Sequence, residues 1–277
     1  MLWECRREEV PVGVFNGRIE QKSFVWFRRF GWVLKPLFSW LGPVLVQNQT
    51  YAQRYEALGV SPRGIHVVGN IKARVRVRRP DREGWRRLRS ALNIGEQDIV
   101  LTAGCVHPGE GAIIGEGLRL LAAQGFDCRC VVVPRHREAA QKVLQELGGG
   151  VLHLHELRTT RMWNRCLVDR YGVMDDMYSM ADIAFVGGTF VPVGGHNVWD
   201  AARYGIPVLF GPDYHTQQAG CERLKRGGVG FEVADAAEFA LAVVRVLRTD
   251  ARAFIRAQQA FADELGREGT AIHDLVP

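Results

Sequence analysis

The chain has 277 residues, 47% hydrophobic and 24% charged, enough for one large core or two modest ones in an ordinary globular protein. Its net charge of +6, carried mostly by Arg, favours an anionic partner such as a nucleotide, a phospholipid head group or nucleic acid. The six cysteines lack metal-type or redox-type spacing, the charged residues from Glu4 to Glu9 argue against a signal peptide, and no stretch is apolar enough to span a bilayer. Together these features predict a cytoplasmic chain with buried thiols.

In chain order, 10–15 reads as a short strand ended by Asn16-Gly17. The segment 24–41 is crowded with Phe24, Trp26, Phe27, Phe30, Trp32, Phe38 and Trp40 among Arg28, Arg29 and Lys35. Two readings stay open for it: contact with an anionic membrane surface, or a helix packed into the core. Gly31 and Pro36 interrupt any long helical face. A strand at 44–46, a helix at 51–58 stopped by Gly59, and a strand at 65–68 follow, leading into Gly69-Asn70-Ile71-Lys72. Residues 72–89 are densely basic and read as a solvated hinge between domains. They lack the interleaved aromatics of a single-strand binder, so no nucleic-acid partner is expected.

Beyond the hinge the rhythm becomes regular. Strands are expected at 99–103, 128–133, 184–186, 207–210 and 230–233, with weaker ones at 151–154 and 166–168. Helices are expected at 110–124, 138–147, 175–180, 198–204, 236–247 and 251–265. Such alternation predicts an α/β fold with a doubly wound parallel sheet, whose ligands bind past the carboxyl ends of the strands. His107 with Gly109, Arg135-His136 and His196-Asn197 all fall at such ends.

The stretch 187–205, GGTFVPVGGHNVWDAARYG, concentrates the chemistry. The pairs Gly187-Gly188 and Gly194-Gly195 leave backbone amides uncovered, and the following helix start adds more, which makes a seat for phosphate. His196 and Asn197 are placed to reach what binds there, and Asp200 to accept from a ribose hydroxyl. Arg135 is suited to paired hydrogen bonds with a phosphate or carboxylate. Glu110 complements the dipole of its own helix, which is explanation enough for it. Lys72 either reaches an anion across a cleft or simply begins the basic stretch. No residue set has metal-ligand spacing, and no Ser-His-Asp, Walker or dinucleotide signature is present.

Several landmarks in order carry a family resemblance: Asn16-Gly17-Arg18, Val46-Gln47, Gly69-Asn70-Ile71-Lys72, His107-Pro108-Gly109-Glu110, Val133-Pro134-Arg135-His136, the run from Ala181-Asp182 to Asn197, and Pro207-Val208-Leu209-Phe210-Gly211-Pro212. By these the chain resembles the 3-deoxy-D-manno-octulosonic acid (Kdo) transferases of lipopolysaccharide synthesis. The resemblance implies a GT-B architecture of two Rossmann-like halves. Residues 1–78 would be the remnant of an incomplete acceptor domain and 79–277 the donor domain. It further implies a CMP-Kdo donor, a lipid A precursor as acceptor, and inverting, metal-independent transfer without a cofactor at the cytoplasmic face of the inner membrane. Donor contacts would fall to Arg135, His136, His107, Gly109, Gly187, Gly188, Gly194, Gly195, His196, Asn197 and Asp200, and acceptor or cleft contacts to Arg18 and Lys72.

The chain also departs from the family pattern. Family members begin with more than a hundred further residues that carry the membrane anchor and the general-base Glu, so this chain alone is expected to bind CMP without transferring Kdo. Cys105-Val106 stands where hydroxyl residues are usual, Asp200 and Val173 where Glu is, and Thr216 where Asn is common. Two rivals remain: another GT-B enzyme using a UDP-sugar, and a non-catalytic binding protein derived from a transferase.

Overall fold

The structure is a computed structural model describing residues 1–69, 80–158 and 162–249. The described residues divide into two compact units, 1–69 and 80–249. The expected boundary at 78/79, Lys72 and the expected helix at 251–265 lie outside the described residues.

The first unit runs α1 (Leu2–Arg7), β1 (Val12–Gly17), α2 (Gln21–Arg29), α3 (Gly31–Phe38), β2 (Leu41–Val46), α4 (Gln49–Ala57) and β3 (Ile65–Val67). Its strands form one parallel sheet in the order β1-β2-β3. Asn48 caps α4 by accepting the Tyr51 amide at 2.9 Å. Val44, Val46, Tyr55 and Leu58 are central to the core. The aromatic segment proves to be two helices broken at Phe30, and its rings divide between core and surface. Phe24, Phe27 and Phe38 pack on the core. Trp26 and Trp32 are 56% and 82% exposed, beside the exposed Arg28 and Arg29.

The second unit opens with a correction. Residues 82–89, expected as part of a solvated hinge, belong to helix α5 (Arg82–Ala91), whose Asp81 cap accepts the Gly84 amide at 2.8 Å. Arg89 is only 2% exposed, stacks on Trp85, and donates to the carbonyls of Gly95, Asp98 and Met180. A guanidinium with that many acceptors is a structural member of the unit, since its hydrogen bonds offset the cost of burial.

The remaining elements are β4 (Val100–Val106), α6 (Gly111–Ala123), β5 (Arg129–Pro134), α7 (Ala140–Glu146), β6 (Val151–His153), β7 (Arg165–Leu167), α8 (Met174–Ser179), β8 (Ile183–Val186), α9 (Trp199–Ala202), β9 (Val208–Phe210), α10 (Gln218–Arg226), β10 (Gly230–Glu232) and α11 (Ala236–Arg248). All seven strands are parallel, in the order β10-β9-β8-β4-β5-β7-β6. Strands β4, β5 and β8 are buried along nearly their whole length because both faces of the sheet are covered. After β5 the chain builds one edge, then crosses to the other side of β4 for β8, so the order reverses between β4 and β8. In open parallel sheets ligands bind at such a reversal.

Candidate functional site

The site is built from the loops that leave β4, β5, β8 and β9. At the end of β4 the register shifts between Gly104 and Val106, and Cys105 sits at φ 56. Such a bulge re-aims the strand end. Val106 is fully buried in the core, so its valine takes nothing from the site surface. The loop then brings His107 to Glu110 against the loop that follows β8.

Glu110 overturns one expectation. Its side chain is fully buried, and Oε2 accepts from the amides of His107 at 2.8 Å and Gly188 at 2.9 Å. Oε1 accepts from Thr189 and Phe190, each at 3.0 Å. The Gly188 amide, expected to stand uncovered, and the two amides after it therefore already hold an anion, the protein's own carboxylate. The Gly187 amide donates to Gly104, the Gly195 amide to Gly188 and the His196 amide to Gly187. The Gly109 amide donates to Glu146 Oε2 at 2.7 Å. Gly187 is glycine for clearance: a Cβ there would lie 2.5 Å from the Cys105 carbonyl oxygen and 2.7 Å from Glu110 Oε2. The expected helix at 198–204 is a single turn, Trp199–Ala202, too short for a strong dipole. What the glycine-rich turn supplies is therefore placement of side chains more than a ring of amides.

Those side chains converge. His107 Nε2 and His196 Nε2 are 2.7 Å apart, with rings nearly parallel at 6°. The His136 ring stands edge-on to His107 at 6.0 Å. Arg135 and His136 both oppose protonation of either member of the pair. Burial first, then His107 and these neighbours, hold His196 down to about 4. Burial also lowers His107, against an opposing pull from Glu110. The pair is thus uncharged near pH 7, beside an exposed arginine.

Below this pair, Asn197 Nδ2 donates to Asp200 Oδ1 at 2.7 Å. Asn197 Oδ1 is buried without a hydrogen-bond partner among the described residues. Thr189 and Thr216 pin the turn from two sides. Thr189 Oγ1 accepts the Gly211 amide at 2.8 Å, and Thr216 Oγ1 donates to the Gly194 carbonyl at 2.8 Å. Gly194, at φ +86, faces His215, whose ring would lie 2.5 Å from a Cβ there.

The structure thus brings His107, Arg135, His136, Gly188, Gly194, Gly195, His196, Asn197 and Asp200 to one end of one sheet. It also adds His215, which the sequence reading passed over. Its Nδ1 lies 2.6 Å from Asp213 Oδ1, leaving Nε2 as the ring's other functional nitrogen. The signal available was a His two residues from an Asp in the loop after β9. Arg18, in the other unit, pairs with Glu20, which also accepts from Tyr51 at 3.1 Å. Among the described residues no group of three or more His, Cys, Asp or Glu is arranged to hold a metal ion.

Residues 1–75 match the family described as 3-Deoxy-D-manno-octulosonic-acid transferase (kdotransferase). A 3-deoxy-D-manno-octulosonic acid transferase of Chlamydia trachomatis serovar A is 32% identical over 241 residues, which is 84% of this chain and 54% of that relative. The chain therefore spans about half the relative's length. Among solved structures, the C-terminal CMP-Kdo binding domain of WaaA from Acinetobacter baumannii aligns with TM-score 0.58 at 23% identity, covering 66% of this chain and 96% of that one. A glycosyltransferase from Rickettsia africae aligns with TM-score 0.60 at 13% identity, covering 96% of this chain and 74% of that one. The structural likenesses carry the fold, the GT-B plan of two Rossmann-like units. The family match and the sequence relatives, for their part, show that the chain belongs to the family of 3-deoxy-D-manno-octulosonic acid transferases.

Proposed function

We propose that the second unit binds CMP-Kdo and that the protein transfers Kdo from it to a lipid A precursor, with inversion and without a metal, in lipopolysaccharide synthesis. The observation that carries this reading is the meeting of His107, His196, Arg135 and His136 where the strand order reverses. The leaving group of a CMP-sugar is a phosphate whose charge grows as the glycosidic bond breaks. Donors already in place around it lower that barrier, in the manner of an oxyanion hole. Arg135 is suited to the phosphate oxygens by its planar fork. Asn197 and Asp200 offer a fixed acceptor pair for ribose or base, and the buried, unpartnered Asn197 Oδ1 fits a ligand N–H or O–H. Glu110 acts at one remove, fixing the turn that carries His196.

Arg18 and Lys72 belong to the acceptor side in this reading. The exposed Trp26 and Trp32 beside Arg28 and Arg29 suit peripheral contact with an anionic bilayer at the cytoplasmic face of the inner membrane.

Calorimetric titration of the purified chain with CMP and with UDP tests the proposal. Binding of CMP in preference to UDP supports it. Preference for UDP would move the chain to another donor class, and binding of neither would remove the donor site.

A further inference from the structure

The His107–His196 contact has a consequence for proton balance. Two imidazole Nε2 atoms 2.7 Å apart share one hydrogen, so one ring donates and the other accepts. In that state neither Nε2 has a hydrogen to offer an anion. A phosphate oxygen that inserts between the rings, displacing this contact, needs both Nε2 atoms as donors.

Each loop contributes to the charge around the pair. The loop after β5 brings Arg135 and His136, both opposing protonation. At the start of α6, Glu110 favours protonation of His107, but four backbone amides already occupy its oxygens. In α9, Asp200 is engaged by Asn197, and in the loop after β9, Asp213 is engaged by His215. The pair is therefore flanked by the Arg135 guanidinium and by carboxylates committed elsewhere. A bound phosphate supplies the counter-charge these surroundings lack.

We infer that the His107–His196 pair is a proton-loaded clamp: binding a phosphate ester here is accompanied by uptake of one proton, so that both rings donate to the phosphate. The inference rests on the reading of this end of the sheet as the donor-phosphate site. Balance is simple, because the neutral pair, one phosphodiester monoanion and one proton from solvent form the complex, and no covalent bond changes. The same proton then offsets part of the charge that develops when the ester is cleaved. His107 and His196 thus become the elements that tie donor affinity to pH.

The test uses the whole chain and cytidine 5′-methylphosphate, a phosphodiester that keeps a single charge across the pH range. Calorimetry at pH 7 in buffers of different ionisation enthalpy reads the protons taken up. The expected result is close to one proton per ligand, with affinity falling toward tenfold per pH unit between about pH 6 and 8. His196→Asn, which keeps a polar side chain but removes the titrating ring, should bind more weakly and with a flattened pH slope. Binding by the native chain without proton uptake overturns the inference and leaves the donor site standing. That outcome means a change of tautomer alone freed both donors. Absence of binding at every pH overturns the inference together with the site.

Discussion

Glu110 and Gly188 are joined by a 2.9 Å hydrogen bond across 78 residues of sequence, and the carboxylate that accepts it is wholly buried. That one acid, with four amides around it, couples the loop after β4 to the loop after β8. Glu110→Gln keeps the shape but turns one end of the side chain into a donor facing donors. The expected loss of stability is about 2–4 kcal/mol, read as a lower urea midpoint, with CMP binding weakened as the turn loosens. An unchanged midpoint would mean that the amides find other acceptors.

Gly187→Ala probes the same junction from the other side. Its Cβ would lie 2.5 Å from the Cys105 carbonyl oxygen, so backbone must move, at an expected cost of about 2–3 kcal/mol. Gly125→Ala is the control. Gly125 has φ +81 but nothing within 4 Å of the new atom, so only the left-handed strain of about 1 kcal/mol applies. Thermal unfolding of the two variants should rank them in that order.

Arg89→Met tests the place of α5. The methionine leaves the carbonyls of Gly95, Asp98 and Met180 without this donor, and about 3 kcal/mol of stability should go with it. The exposed Arg87→Met should change stability by less than about 0.5 kcal/mol. Equal effects would return the basic stretch to the role of a solvated hinge.

These positions also mark what the sequence could reveal. The apolar runs at 99–103, 128–133 and 184–186 were legible as buried parallel strands, and with them the sheet ends where His107, Arg135 and His196 would lie. Charge density in 82–91 hid Trp85 and Leu88, and α10 went unread because Gly220 interrupts its pattern. The role of Glu110 was not legible because a local explanation, dipole complementarity, already sufficed for it. Three of its four partners lie 78 to 80 residues away, and no local spacing encodes them. The Asp213–His215 contact was short-range, yet the intervening Tyr214 masked it among loop residues.

The pH dependence of stability follows from His196. Its ordinary value of 6.5 is depressed to about 4 in the fold, so between those values the unfolded chain binds the extra proton. This contribution to stability is intact above pH 6.5 and lost as pH falls toward 4. His107, lowered by the same burial, adds in the same direction. Unfolding midpoints measured from pH 7.5 to 4 should decline through that window in the native chain and decline less in His196→Asn.

The most direct measurement is a CMP titration of the chain labelled with 15N at its histidine rings, followed by NMR. The signals of His107, His136 and His196 should move together and saturate with a single affinity, while those of His66, His153 and His155 stay in place. Saturable CMP binding that leaves His107 and His196 unshifted, or no binding at millimolar CMP, would contradict a donor phosphate held at the reversal of the strand order.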